Sequence, residues 1–165
     1  MDKLIHHRLC RLSCLLVVMS LAACSSGPKK SSYSSSSAIG SSQAKSENIV
    51  LVAESMIGAP YRYGGVSPDR GFDCSGLVYF SHRQNGITLP RTSYAQYKAS
   101  KPVSRKALQR GDLLFFRISG RKVSHVGIYL GNNRFVHAPS SGKKVSVAQL
   151  NSSYWSKRFI RGGRI

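Results

Sequence analysis

The sequence predicts an α+β domain in which N-terminal helices pack on an antiparallel sheet of about five strands. Apolar residues recur at helical spacing in the first part of the folded region, and short β-type runs bounded by turn residues follow it. Helices that precede strands in this way are typical of folds that segregate the two kinds of element. Residues 47–165 are also long enough for one domain with its own core.

The N-terminal 23 residues are predicted to be an export signal. Three basic residues precede the apolar run 12–21, which is shorter than the about 20 residues needed to cross a bilayer. Small residues then lead into Cys24, an arrangement that resembles the lipobox of bacterial lipoproteins. We expect removal of residues 1–23 and lipid attachment to Cys24. An ordinary signal peptide or a buried N-terminal helix is the alternative.

Residues 24–46 are predicted to be a disordered tether. They are mostly serine, with too little apolar surface to offset the entropy of an ordered chain. We interpret the tether as a spacer that lets the folded domain explore a zone near a membrane.

Three helices are predicted next. The first begins at a Ser46 N-cap, buries apolar residues between 49 and 57, and ends at Gly58. The second begins at Cys74, with Asp73 as its N-cap, and runs to about residue 86. A short third helix follows Thr92. On the second helix, His82 is assigned to the outer, solvated side.

The strands are predicted after residue 111, where the pattern changes to β-branched and aromatic runs. The five expected strands are 113–116, 123–130, 134–138, 145–147 and 158–162.

The strongest hairpin signal brings two histidines together. A two-residue turn at Asn132 and Asn133 places His125 and His137 on opposite faces if the pairing is regular. One extra residue in the first strand returns them to one face as diagonal neighbours. We therefore predict a β-bulge near Gly127, or a looser turn.

Cys74 is the candidate nucleophile. The other three cysteines fall in the signal segment or at the lipidation site, so Cys74 is the one thiol expected to stay free after export. A helix N-terminus stabilises a thiolate, while the neighbouring Asp73 opposes it, so a histidine is needed as a second activator. Buried filler is the alternative interpretation of a single cysteine.

Charge is the main compositional anomaly, with 25 Lys and Arg against 6 Asp and Glu and a net charge of +19. Such a field attracts polyanions. For an exported protein we expect acidic wall peptides or anionic headgroups as partners, and no nucleic acid.

Six motifs follow one another along the folded region. They are Tyr61-Arg62-Tyr63-Gly64-Gly65, Asp73-Cys74-Ser75-Gly76, Leu89-Pro90-Arg91, Gly111-Asp112-Leu113, His125-Val126-Gly127-Ile128-Tyr129 and Phe135-Val136-His137-Ala138. In this order they resemble the NlpC family of cell-wall cysteine peptidases, closest to the short Gram-negative lipoprotein murein endopeptidases.

The resemblance implies a papain-like fold and a role for each matching residue. Cys74 matches the nucleophile, His125 the general base and His137 the residue that orients this base. Tyr61 matches the tyrosine that supports the oxyanion. Asp73 and Ser75 match residues that line the substrate cleft. By chemistry alone, Arg62 and Arg91 are candidate contacts for substrate carboxylates.

The resemblance also implies hydrolysis of peptidoglycan stem peptides without a metal or other cofactor. The D-Ala–diaminopimelate cross-link is the preferred bond, and the γ-D-Glu–diaminopimelate bond is the alternative. A catalytically silent wall-binding lipoprotein and a related amidase or transferase also remain open. We expect the protein to be a monomer. Because Asp does not follow Cys24, we expect it on the periplasmic face of the outer membrane. An adaptor or a regulatory protease is not readable from the sequence.

Overall fold

A computed structural model describes the backbone of residues 36–165 and the side chains from residue 42 onward. The predicted signal segment 1–23, the lipidation site Cys24 and the start of the predicted tether lie outside the described residues. None of the described helices is long and apolar enough to span a bilayer.

The first helix, α1, spans Ser36–Ser55 and begins well before the predicted start at Ser46. The prediction of disorder is therefore wrong for residues 36–46. Good helix formers such as Gln43, Ala44 and Lys45 continue the helix toward the N terminus. The later turns bury Ile49 and Val50 against the rest of the domain.

Three further α-helices follow. They are α2 (Cys74–Arg83), α3 (Ser93–Ala99) and α4 (Ser153–Ser156), with a 3₁₀ turn at Arg105–Ala107. The predicted N-caps of α2 and α3 are confirmed, because the side chains of Asp73 and Thr92 accept backbone N–H groups of the first turns. The sequence did not predict α4.

Within residues 36–165, eight short strands form two sheets. They are β1 (Val66–Ser67), β2 (Gly71–Phe72), β3 (Lys101–Val103), β4 (Leu113–Phe116), β5 (His125–Gly131), β6 (Arg134–His137), β7 (Ser146–Gln149) and β8 (Phe159–Arg164). The pair β1–β2 stands alone, and the other six form an antiparallel sheet in the order β3-β8-β4-β5-β6-β7. The α+β class is confirmed, and the main sheet has one strand more than expected.

Each face of the main sheet carries its own apolar cluster. Leu113 and Phe115 of β4 join Leu77 and Val78 of α2 in the larger cluster between sheet and helices. Residues that alternate with them, such as Phe116, pack on the opposite face with Trp155 and Phe159. Helix α2 contacts β5, the strand that begins at His125, and His137 lies at the end of the neighbouring β6.

The β5–β6 hairpin confirms the predicted two-residue turn and the expected bulge, with one correction. Asn132 and Asn133 have φ of 50° and 57°, which is typical of the tight turns favoured in hairpins. The register shift lies between Tyr129 and Gly131, so the bulge is beside the turn and not at Gly127. Ile128 consequently pairs with Val136.

Candidate active site

Cys74 is the first residue of α2, and the cap of that helix sets its position. Asp73 Oδ1 accepts the N–H of Gly76 at 2.7 Å, and Oδ2 accepts the N–H of Gly64 at 2.8 Å. The free thiol is half-buried at the positive end of the helix, as predicted. One carboxylate therefore fixes both the start of α2 and the loop that precedes β1.

Arg91 completes this anchor. Its guanidinium lies 2.6 Å from Asp73 Oδ2 and 2.9 Å from Oδ1, and it donates to Ser75 Oγ at 3.0 Å. Ser75 Oγ in turn donates to Asp73 Oδ1 at 3.2 Å. The structure shows hydrogen bonds among the side chains of Asp73, Ser75 and Arg91, which were expected to face the substrate. Their polar groups hold the start of α2.

The pKa of Asp73 reflects this network. Burial alone would raise the pKa of the carboxyl group, but hydrogen bonds from Arg91, Gly76 and Gly64 outweigh burial and bring it below its usual value. Asp73 is therefore an ionised, paired carboxylate at neutral pH.

Gly76 allows the loop and the helix to touch. A Cβ at this position would run into the backbone carbonyl of Gly65. That carbonyl also accepts the N–H of Asp73 at 3.2 Å and a long bond from Arg91 at 3.3 Å. The glycine at position 76 is thus explained by this close approach, whereas a Cβ at Gly65 would meet the backbone carbonyl of Gly71.

His125 and His137 meet as predicted. The bulge places His137 opposite Gly127, two residues from His125, and His125 Nε2 lies 2.9 Å from His137 Nδ1. The rings are nearly perpendicular, at 86°. Since Nε2 is occupied, Nδ1 is the nitrogen of His125 that remains to act on a neighbouring group.

The thiol lies beside the strand that carries His125. The backbone N–H of Val126, the next residue, is among the hydrogen bonds that stabilise the Cys74 thiolate. Within residues 36–165, no hydrogen bond joins the sulfur to either imidazole. Catalytic contacts of this kind often tighten when a substrate binds.

Burial sets the charge states of the Cys74 thiol and of the two imidazoles. Burial raises the pKa of the Cys74 thiol, the charge of Asp73 adds to this rise, and backbone N–H groups offset part of it. The predicted opposition between the helix N-terminus, whose N–H groups lower the pKa of the thiol, and Asp73, which raises it, is confirmed, and burial decides the net direction. Burial lowers the pKa of His125 to about 3 and that of His137 to about 4. At neutral pH the thiol and both imidazoles are therefore uncharged.

Trp155 supports both imidazoles, and sequence reasoning missed it. Its ring stacks on His125 with centroids 5.4 Å apart and meets His137 edge-on at 4.9 Å. Phe135 packs against His137 at 5.0 Å. The sequence contains a single tryptophan three residues after Ser152, the N-cap of α4, but no local sequence pattern places this tryptophan beside the hairpin.

Tyr61 lies in the segment between α1 and β1, near Cys74. Its N–H donates to Lys143 O at 2.8 Å, and the residue bridges to Phe72. Burial raises the pKa of its phenol, and the nearby Cys74 and Asp73 raise it further. The hydroxyl group is therefore protonated at neutral pH and able to donate a hydrogen bond.

Gln96 is a second residue that sequence reasoning missed. It is 0% exposed, and its Nε2 donates to Ser75 O at 3.0 Å and to Pro90 O at 2.9 Å. Its Oε1 is buried with no partner in the described part of the chain. The amide joins the first turn of α2 to the segment that carries Arg91.

The prediction that His82 lies on the outer, solvated side of α2 is wrong. It is buried and not solvated, with Nδ1 2.9 Å from Val78 O, and burial lowers its pKa to about 4. It lines a groove of about 620 Å³ together with Arg110 and Arg164. Neither Cys74 nor the histidine pair lines this groove, so we place the chemistry elsewhere.

Among residues 36–165, no three His, Cys, Asp or Glu side chains are grouped closely enough to hold a metal ion.

The chain is also similar in sequence to known proteins. The model of the NlpC/P60 family matches residues 58–164. A murein DD-endopeptidase of Escherichia coli (strain K12), MepH, is 42% identical over 113 residues, which cover 66% of this chain and 42% of that protein. A second protein of that strain is named murein DD-endopeptidase MepS/murein LD-carboxypeptidase, and it is 46% identical over 109 residues, which cover 66% and 56%. This chain thus matches about half of the length of these relatives.

A solved structure agrees as well. A Staphylococcus aureus protein, described as similar to lipoprotein and of the NLP/P60 family, superposes with a TM-score of 0.67 at 39% identity. The match covers 74% of this chain and 41% of that one.

Proposed function

The chain belongs to the NlpC/P60 family, and from that premise we propose that it is a cysteine peptidase that hydrolyses stem peptides of peptidoglycan. One observation carries the proposal. A half-buried thiol at a helix N-terminus lies beside the strand of a histidine whose far nitrogen is held by a second histidine at 2.9 Å. A nucleophile, a base and a group that orients the base make up the set required for acyl transfer.

The first half of the reaction forms a thioester. Cys74 Sγ attacks the carbonyl carbon of the scissile bond while its proton passes to His125 Nδ1. The Tyr61 hydroxyl group and the Cys74 backbone N–H donate to the oxyanion, and such donors contribute about 3–4 kcal/mol of transition-state stabilisation each. The carbon–nitrogen bond then breaks, and His125 returns the proton to the leaving amine.

The second half releases the enzyme. A water molecule loses a proton to His125 Nδ1 and attacks the thioester carbon. The carbon–sulfur bond breaks, the acid product leaves, and the proton returns to the sulfur. His137 keeps the His125 ring in one orientation through both halves, because the hydrogen bond at Nε2 leaves Nδ1 directed to the reacting atoms.

The bond we propose is the D-Ala–diaminopimelate cross-link. The names of both Escherichia coli relatives include DD-endopeptidase activity, which supports this choice. Cleavage of the γ-D-Glu–diaminopimelate bond is the alternative, and a silent wall-binding protein is the non-enzymatic one.

Digestion of purified sacculi tests these outcomes. Wild-type protein should convert cross-linked dimers into monomers, and Cys74→Ala should leave the dimers intact. Mass spectrometry of the products identifies the bond, since cutting after γ-D-Glu leaves stems that end in L-Ala-D-Glu. Undigested sacculi with well-folded wild-type protein would overturn the peptidase.

We also propose that the protein is anchored through Cys24 to the periplasmic face of the outer membrane. The order of charge, apolar run, small residues and cysteine supports this. Membrane fractions from cells labelled with palmitate should contain labelled wild-type protein. A Cys24→Ala chain that is labelled and sedimented equally would overturn the anchor.

A further inference from the structure

We propose that a basic surface beside the histidines binds the carboxylates of peptidoglycan stem peptides outside the cleft, so that the enzyme is held on the polymer it cuts. The proposal rests on the proposed function and extends it to a second contact with the substrate. This basic surface consists of six cationic residues, Arg105, Arg117, Arg121, Lys122, Lys157 and Arg158.

The cationic charge of the domain is almost uncompensated. Ion pairs with Arg91, Arg110 and Arg164 occupy all but one of the acidic side chains in residues 36–165. The exception is Asp69, which is exposed near the β1–β2 turn. Between residue 74 and the C terminus, Asp112 is the single acidic residue. The basic surface therefore has no carboxylate of its own chain within its sequence segments.

One backbone contact joins two members of the basic surface, and aromatic rings support two of its guanidinium groups. Arg117, directly after β4, donates its N–H to Arg158 O at 2.9 Å. Arg158 lies on the Tyr154 ring at 3.8 Å, and Arg105 lies 5.9 Å from the Phe159 ring. Aromatic faces thus hold two of the guanidinium groups in fixed places.

The loop between β4 and β5 supplies the other side of the basic surface. Ser124 N donates to Phe116 O at 3.1 Å, and Ser124 Oγ accepts the N–H groups of Ile118 and Ser119. Lys122 Nζ lies 5.5 Å from the Tyr94 ring. The loop is therefore closed at its base and presents its charges outward.

The basic surface borders the candidate active site. Phe116 pairs with His125 across β4 and β5, and Arg117 is the next residue. On the other side, Tyr154 holds Arg158 and precedes Trp155, which stacks on His125. A polymer strand that passes over His125 would continue across these cations.

Stem peptides are the occupant that fits. Each carries carboxylates from D-Glu and diaminopimelate, so a wall segment presents regularly spaced negative charge. Rim charges of this kind mainly speed association and weaken in salt, which suits an enzyme that has to move along its substrate.

Sedimentation with purified sacculi tests the proposal, with Cys74→Ala as the background so that the wall is not digested. Adding Arg117→Gln, Arg121→Gln and Lys122→Gln should weaken binding about tenfold. A second variant from the opposite side, Lys157→Gln with Arg158→Gln, should weaken it in the same direction. Thermal unfolding verifies that each chain is folded.

The matched control removes the same charge elsewhere. Lys45→Gln, Arg83→Gln and Arg134→Gln change three exposed cations on α1, α2 and β6. An equal loss of binding in this control would overturn the proposal, because net charge alone would then explain binding.

Two further arms identify the occupant. Sacculi whose carboxylates are chemically amidated should lose binding, and undiminished binding would overturn the proposal. Phosphatidylglycerol vesicles that capture the protein through these residues, when sacculi do not, would assign the basic surface to lipid and overturn it as well. A chain that binds sacculi as expected but releases no muropeptides would overturn the peptidase and keep the basic surface.

Discussion

Replacing Arg91 with methionine should uncouple the nucleophile helix from its anchor. Asp73 is 8% exposed, and the substitution removes both guanidinium hydrogen bonds to Asp73, together with those to Ser75 and Gly65, while keeping much of the side-chain volume. Charge-assisted hydrogen bonds contribute about 1.5–3 kcal/mol each, and the lower end applies because the Arg91 side chain is 36% exposed. The N–H groups of Gly64 and Gly76 still hold the carboxylate. We expect the free energy of unfolding to fall by about 2–3 kcal/mol at pH 7.

The loss should depend on pH with a defined sign. The pKa of Asp73 is lowered in the folded wild type, so its ionised form stabilises the fold above the unfolded pKa near 3.8. That stabilisation disappears as the pH falls through the folded pKa. The difference between wild type and Arg91→Met is therefore complete at pH 7 and narrows below about pH 4.

Urea denaturation at pH 7 and pH 3 measures both effects, with the single tryptophan, Trp155, as the probe. Arg91→Lys is the matched control. It keeps a positive charge but loses the two-pronged geometry, so its stability should lie between those of the other two chains. A loss under about 0.5 kcal/mol at pH 7, or the same loss at both pH values, would refute this account of the anchor.

Three further predictions concern the reacting groups. Alkylation of Cys74 by iodoacetamide should accelerate about tenfold per pH unit from pH 6 to 8, because burial raises the pKa of the thiol; a plateau below pH 7 would contradict this. His137→Ala should lower kcat on a soluble cross-linked muropeptide about 100-fold by freeing the His125 ring, with less loss for His137→Asn; equal losses would argue against an orienting role. Gly76→Ala should lower the melting temperature by more than about 10 °C, because its Cβ meets Gly65, and an unchanged melting curve would show that the close approach is dispensable.

Local chemistry explains which parts of the fold were predictable. The caps at Asp73 and Thr92 depend on side chains within three residues of the amides they accept, so the sequence is sufficient. Strand β3 was missed because its pairing partner, β8, lies about sixty residues away, and Pro102 disfavours a strand prediction. The early start of α1 was missed because serine composition outweighed the helix formers among the serines.

The candidate site likewise contains contacts that the sequence predicts and contacts that it does not. The hairpin register brought the two histidines together from sequence, since that argument needs only counting along the chain, whereas the link from Cys74 to His125 came from the resemblance to the NlpC family. The Arg91–Asp73 pair is a tertiary contact between a loop and a cap, and no periodicity indicates it.

His82 was misplaced for a different reason. It lies four residues after the buried Val78, and helical spacing therefore puts it on the inner side of α2. The polarity of histidine was given more weight than its position.

Because of the bulge beside the Asn132–Asn133 turn, contact between the two histidines depends on whether an odd or an even number of residues is removed from strand β5. Successive strand residues point to opposite sides, so deleting Leu130 would turn His125 away from His137 without altering either ring. Losing two residues from the strand would keep both rings on one side but shift them along it. Homologous hairpins that preserve this chemistry should therefore differ in length by even numbers, whereas an odd difference marks a chain whose histidines no longer meet.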